Sequence, residues 1–391
     1  MNKFIAVILA AAAVFFFGQI VPTQSIPDIA KSIEHPYAAS IVKQQGANRE
    51  TLSAENKELY DVIKTGLINH EDEILVRRFS YGEEDVRDVL WYIMSDSPEL
   101  FWVDWSWDVR SQDNGFIVAP RYIYDKADTE TKSAEINAAL DKIVSLAAEA
   151  GAETEYDKVL FVHDYLIKNC KYDEQSTQQV HTAYGALVAQ QAVCDGYAHA
   201  TQLILNKMGI ANEYVEGTGT TAKQDEGHAW NVVSIDGKYY HLDITWDDRD
   251  AEQSDKAHDS DIVSYNYFLL GDEDIAIDHK TDNKAAVPTC PESYGYFKKL
   301  GLEGNLFEDI FDKVVETVIA NVDKDIYFIE FRVADEADYK AVCDSADSIG
   351  KVIESVNKEL KYKGYSTRLG DTYSLYRSDE RNSALVVFEV D

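Results

Sequence analysis

A chain of 391 residues is too long for one ordinary core and predicts two or three domains. Its 45% hydrophobic content is ample for packed globular structure. The formal charge of -33 argues against a phosphate-backbone partner, which needs clustered Lys and Arg, so no nucleic-acid partner is expected.

The first residues, MNKFIAVILAAAAVFFFGQIVPTQ, carry one basic residue and then an unbroken apolar run from Phe4 to Gly18. That run fits the h-region of a secretory signal and is shorter than the roughly 20 residues of a comfortable membrane span. No clear A-x-A cleavage site follows, so a retained N-terminal anchor is the alternative, and no Cys follows for lipid attachment. Residues 1–27 are therefore expected to be a signal peptide or membrane anchor, and the rest of the chain to be secreted or extracellular. Ser25 to about Ala54, with Pro27 and Pro36, predicts a linker that turns helical.

Residues 28–139 predict a small mixed α/β region. ENKELYDVIKTGL and EEDVRDVLWYIMSD have helical apolar spacing, EILVRRFSY is strand-like, and ELFWVDWSWDV and GFIVAPRYIY flank QDNG as a hairpin. Trp102, Trp105 and Trp107 are expected to pack against the neighbouring helix rather than stack on carbohydrate. Residues 140–291 form the central region, and TETKSAEINAALDKIVSLAAEAG and EYDKVLFVHDYLIKNCKYDE predict helices at its entrance. The acidic run at 247–261 lacks the position-six Gly and closing Glu of an EF-hand, which predicts a solvated loop. Residues 292–391, with strand, helix, strand, strand order after a helix, predict a separate α+β domain.

Four scattered cysteines, without C-x-x-C or zinc-finger spacing, are neither a disulfide framework nor a structural zinc site. No metal or cofactor is expected. Cys194, however, stands at a helix start: Tyr197, Ala200, Ile204 and Met208 recur at three or four positions, and Gly209 ends the run. There the free N–H groups and the positive end of the macrodipole favour a thiolate and can hold an oxyanion. Asp195 opposes this by raising a neighbouring thiol. Cys170, Cys290 and Cys343 are expected to be structural or incidental.

In HAWNVVSIDGKYYHLD, Asp236-Gly237 predicts a two-residue type I′ turn. Ile235 then pairs with Lys238, Trp230 falls opposite Asp243, and His228 opposite Thr245. His228 and Asp243 become diagonal neighbours on one face, within reach of each other. A thiol, an imidazole base and a carboxylate that orients it make up a cysteine enzyme. His199 is expected at the surface, and His241 outside the triad although on the face of Asp243.

C-x-G-Y-A at Cys194, G-H-A-W-N-V-V at Gly227 and Y-x-H-L-D-I-T-W at Tyr239 resemble the transglutaminase-like, papain-related cysteine enzymes of bacteria. The likeness extends back through Tyr165-Leu-Ile and His181-Thr-Ala-Tyr-Gly-Ala-Leu and forward to Tyr267-Phe-Leu-Leu, and it covers about a third of the chain. It implies an α+β, papain-like/transglutaminase-like core, in which a helix bearing the Cys packs on an antiparallel sheet bearing the His and Asp, with small α+β regions on either side. It assigns Cys194 as nucleophile, His228 as base and Asp243 as orienting acid. Tyr184, Trp230 and Trp246 are candidates for the substrate cleft or oxyanion support. The expected function is an exported enzyme acting on carboxamide bonds of a protein or peptide substrate, with peptidase or amidase ahead of protein cross-linker. The competing class is a non-catalytic surface binding or scaffold protein using the same groove.

Overall fold

The computed structural model describes residues 47–77, 82–173, 177–221, 224–248, 262–282 and 287–391. The expected signal or anchor at 1–27 and most of the acidic run at 247–261 lie outside the described residues. Among the described residues no helix is long and apolar enough to cross a membrane.

Two helices, α1 (Ala54–Ile68) and α2 (Glu83–Asp96), flank strand β1 (Ile74–Arg77) and a hairpin of β2 (Val103–Gln112) and β3 (Gly115–Tyr122). The three strands form an antiparallel sheet in the order β1-β3-β2. The aromatic hairpin packs as its composition predicts. Trp102 is fully buried, with Nε1–H donating to Leu67 O at 3.2 Å, and Trp105 lies 5.9 Å from the His199 ring of the central region.

Position 140, expected to be a boundary, lies within helix α3 (Lys126–Glu149). One apolar core runs without a break from Leu59 through Leu140 to Leu269. Ile136, Leu140 and Ile143 on one face of α3 belong to this core. Helix α4 (Glu155–Asn169) follows, with the Thr154 hydroxyl and Asp157 carboxylate closing a capping box.

The central sheet has five antiparallel strands. They are β4 (Asn212–Thr220), β5 (Asp225–Ile235), β6 (Lys238–Leu242), β7 (Phe268–Leu270) and β8 (His279–Thr281), in the order β8-β4-β5-β6-β7. Helix α5 (Cys194–Lys207) packs across β5, where Asn231 Nδ2 donates to Ala198 O at 3.1 Å. The other face of β5 buries Trp230 and Val232 against Val215 and Cys290. Covered on both faces, β5 is buried at every residue from His228 to Val233 rather than at alternate ones.

The Asp236-Gly237 turn joins β5 and β6 with φ of 52° and 77°, both positive as a type I′ turn requires, and Ile235 pairs with Lys238. The ladder continues only to Asn231 opposite Leu242. Asp243 then caps a helical turn, α6 (Ile244–Asp247), with Oδ1 accepting from Trp246 N at 3.1 Å. Thr245 is therefore helical, not a strand partner of His228.

The C-terminal part has its own core from Phe297 to Phe388. Helix α7 (Phe307–Val322), strand β9 (Phe328–Val333), helices α8 (Glu336–Asp344) and α9 (Ala346–Lys363), and hairpin strands β10 (Leu369–Ser378) and β11 (Ser383–Val390) build it. Strand β11 lies between β9 and β10.

Candidate active site

Cys194 opens α5 directly after the N-cap Val193, and it lines a cavity of about 360 Å³. Tyr172, His181, Val193, Asp195, Glu216, Gly227 and His228 complete the lining. Two of the residues singled out from sequence, Cys194 and His228, thus share one cavity. Burial pushes the Cys194 thiol up, and the Asp195 and Asp243 carboxylates add to this, against backbone N–H groups of Ala229 and Asp195.

Helix α5 enters the site along a path that leaves no room beside Gly196. A Cβ there would stand 2.4 Å from Val180 O and 2.7 Å from Ala192 Cβ. Gly196→Ala is expected to destabilise the fold by about 1–3 kcal/mol and to displace Cys194, since neither neighbour is the tip of a flexible side chain. Denaturant titration would check this; an unchanged midpoint would mean that the close packing is relieved elsewhere.

His228 Nε2–H donates to Asp243 Oδ2 at 2.7 Å, both side chains being buried. This leaves Nδ1 of His228 as the nitrogen that can take a proton from the thiol. Asp243 is held well below the usual carboxylate range: burial alone would raise it, but His228 and His279 outweigh burial. His279 Nε2–H donates to the same Oδ2 at 3.0 Å, and its Nδ1–H donates to Asp278 Oδ1 at 2.6 Å. His279 was not singled out from the sequence, where AIDHKT has no motif spacing.

A second pair sits beside the thiol. His181 Nδ1–H donates to Asp195 Oδ2 at 2.8 Å, and Tyr214 OH donates to Asp195 Oδ1 at 3.0 Å. The hydrogen bond to Asp195 raises His181, and, despite burial, the same partner lowers Asp195. The Cys194 thiol points to Asp195 Oδ1 at 4.0 Å. An anion in that position holds the sulfur as a thiol at rest.

Trp230 and Trp246 do not line the cavity; they form the wall behind the imidazole. Their rings lie 5.9 and 5.3 Å from that of His228. Gly219 makes room for Trp246, since a Cβ there would meet its ring at 2.6 Å. Tyr184 is placed elsewhere: its hydroxyl donates to Glu135 Oε2 at 2.6 Å, and its ring stacks on Phe101. His241 is turned away from His228, accepting from Trp230 Nε1–H at Nδ1 (3.0 Å) and facing Asp272 with Nε2 (3.1 Å). His199 is buried rather than at the surface, packed 4.7 Å from the Tyr214 ring.

Ligating atoms converge within 4.8 Å in two clusters among the described residues, His228–Asp243–His279 and His241–Asp272–Cys290. In both, the histidine nitrogens facing the carboxylates carry the protons of these hydrogen bonds.

Residues 144–244 match the family model described as the Transglutaminase-like superfamily. The kyphoscoliosis peptidase of Mus musculus is 25% identical over 177 residues, covering 41% of this chain and 26% of that protein. The Homo sapiens protein of the same name is 25% identical over 175 residues, with the same coverage. The match thus spans about a quarter of the length of these curated relatives. Among solved structures, a protein of Cytophaga hutchinsonii provisionally designated a cysteine protease shares 19% identity, with a TM-score of 0.24, over 36% of this chain and 61% of that one. The chain therefore carries a transglutaminase-like domain, and Cys194, His228 and Asp243 all lie inside it.

Proposed function

We propose that the protein is a cysteine-nucleophile enzyme that opens carboxamide bonds of proteins or peptides through an acyl-enzyme on Cys194. The observation that carries this reading is the 2.7 Å His228–Asp243 hydrogen bond at the cavity that also holds Cys194. In the reaction, Cys194 Sγ attacks the carbonyl carbon while His228 Nδ1 takes the thiol proton. The tetrahedral oxyanion collapses, the C–N bond breaks, and the leaving amine takes the proton from His228. Water, deprotonated by His228, then cleaves the thioester and restores the thiol. Because burial and Asp195 hold the sulfur protonated at rest, His228 acts as a base during attack rather than through a standing ion pair.

Hydrolysis is favoured over cross-linking on a physical ground. Outside a cell water is the bulk solvent, at about 55 M, and aminolysis needs a site that shields the acyl-enzyme and binds an amine. The peptidase designation of the mouse and human relatives supports the same choice. The apolar run in residues 1–27 supports export, with cleavage or anchoring as its two outcomes.

Thiol reactivity tests the nucleophile. Cys170 and Cys290 are fully buried and inaccessible, whereas Cys194 lines the cavity beside His228, and Cys343 is half-buried away from any such base. Iodoacetamide at pH 6 to 7 is expected to modify Cys194 first, and Cys194→Ala is expected to remove the fast phase. A fast phase that survives Cys194→Ala overturns the assignment. Mass-spectrometric products from a peptide mixture, with and without added amine, then separate hydrolysis from transfer, and a scaffold yields neither.

A further inference from the structure

We propose that His279 is a positioning residue for the catalytic unit, and that the C-terminal module takes part in the site by holding His279 through Arg381 and Asp278. The inference rests on the Cys194–His228–Asp243 reading and extends it to a part of the chain outside the transglutaminase-like match.

The connection is continuous. Arg381, on the turn between β10 and β11, donates from Nη2 to Asp278 Oδ1 and Oδ2 at 2.9 and 3.1 Å. Asp278 accepts from His279 Nδ1–H at 2.6 Å, and His279 Nε2–H reaches Asp243 at 3.0 Å. Arg381, Asp278 and His279 are no more than 9% exposed, so water contributes little to satisfying these groups. Tyr267 braces the joint: its hydroxyl donates to Asp278 Oδ2 at 2.8 Å, and the Arg381 guanidinium lies 4.2 Å from its ring centre.

A second tie runs through the backbone. Glu330 on β9 accepts from Ser264 Oγ, Tyr265 N and Asn266 Nδ2 at 2.8–2.9 Å. The next residue, Tyr267, accepts from Asp243 N at 3.2 Å through its carbonyl. The C-terminal module is thus linked to the side chain of Asp243 through Asp278 and His279, and to its backbone through residues 264–267.

The charges suggest what His279 does. It gives both ring N–H groups to carboxylates, and these bonds raise it despite burial. The groups facing it are Asp243 beyond the end of β6, Asp278 beside it, His228 on β5, and the rings of Trp230, Trp246 and Tyr267. Arg381 stands behind Asp278, and His241 lies beyond Trp230. His279 and Arg381 thus stand as the donors that face the two buried carboxylates, Asp243 and Asp278. Without His279, Asp243 Oδ2 would keep only one of its two imidazole partners, and the surroundings of His228 would hold one donor fewer. The second donor also keeps Asp243 Oδ2 from turning away from His228.

The test is single-turnover acylation of the full chain by p-nitrophenyl acetate across pH, with a thermal melt for each variant. His279→Gln keeps one N–H for Asp243 but removes the charge. It is expected to slow acylation at pH 7 by about 10- to 100-fold and to move the acidic limb of the profile up by on the order of one pH unit. Arg381→Ala is expected to move the limb the same way by less, and Arg381→Lys to restore most of it. No acylation of the parent chain overturns the function reading itself. Acylation of the parent with an unmoved limb in His279→Gln overturns this inference, even if the variant melts lower, because a merely structural role changes stability without changing the profile. A limb that moves for His279→Gln but not for Arg381→Ala overturns the part assigned to the C-terminal module.

Discussion

His228→Ala is expected to reduce acylation of Cys194 to background, a loss on the order of 10⁴-fold or more. The reason is the state of the sulfur. Burial and the neighbouring Asp195 hold it as a thiol, so removal of its proton must accompany attack. Among the cavity-lining side chains His181 is the other imidazole, and its Nδ1 is already committed to Asp195 at 2.8 Å. His241→Ala is the control. Its ring bonds Trp230 and Asp272 rather than Cys194, His228 or Asp243, so its loss is expected to cost stability, about 1–3 kcal/mol for the stranded Trp230 N–H, and little rate per folded molecule. Single-turnover acylation normalised to the folded fraction decides between the two. An active His228→Ala beside an inactive His241→Ala would overturn the assignment of the base.

Asp243→Asn is expected to lose on the order of 10² to 10⁴ in acylation rate while the chain still folds, by analogy with an orienting carboxylate in other triads. The carboxylate is used completely. Oδ1 accepts from Trp246 N to cap α6, and Oδ2 accepts from both His228 and His279. An amide cannot replace it in either orientation. With its NH₂ toward the histidines it opposes two donors, and with its NH₂ toward Trp246 N it breaks the cap. The same kinetic measurement beside a thermal melt checks this. Full activity in Asp243→Asn would mean that His228 is oriented by its ring neighbours Trp230 and Trp246 instead.

The parts legible from sequence are those encoded over short distances. An Asp-Gly pair between two apolar runs sets a two-residue turn through the positive φ of both residues, and the turn dictates which residues of β5 and β6 stand opposite. The start of α5 at Cys194 follows from apolar spacing of three and four. Even here the local code had a limit. Continuing the ladder to Thr245 neglected the preference of an Asp to cap a helical turn, and that cap frees Oδ2 of Asp243 to face His228.

Tertiary structure alone decided the surroundings of the triad. His279 meets Asp243 across 36 residues and Arg381 meets Asp278 across 103, so no spacing announces either contact. Tyr184 and His199 turned out to serve packing, because chain folding rather than motif position decides which face of an element reaches the cavity. Helical periodicity likewise shows that α3 buries one face, but not which core that face enters. Period and turn chemistry thus determined the helix that Cys194 opens and the hairpin that carries His228. Long-range pairing of buried charges, whose desolvation only a specific partner offsets, decided how they are held.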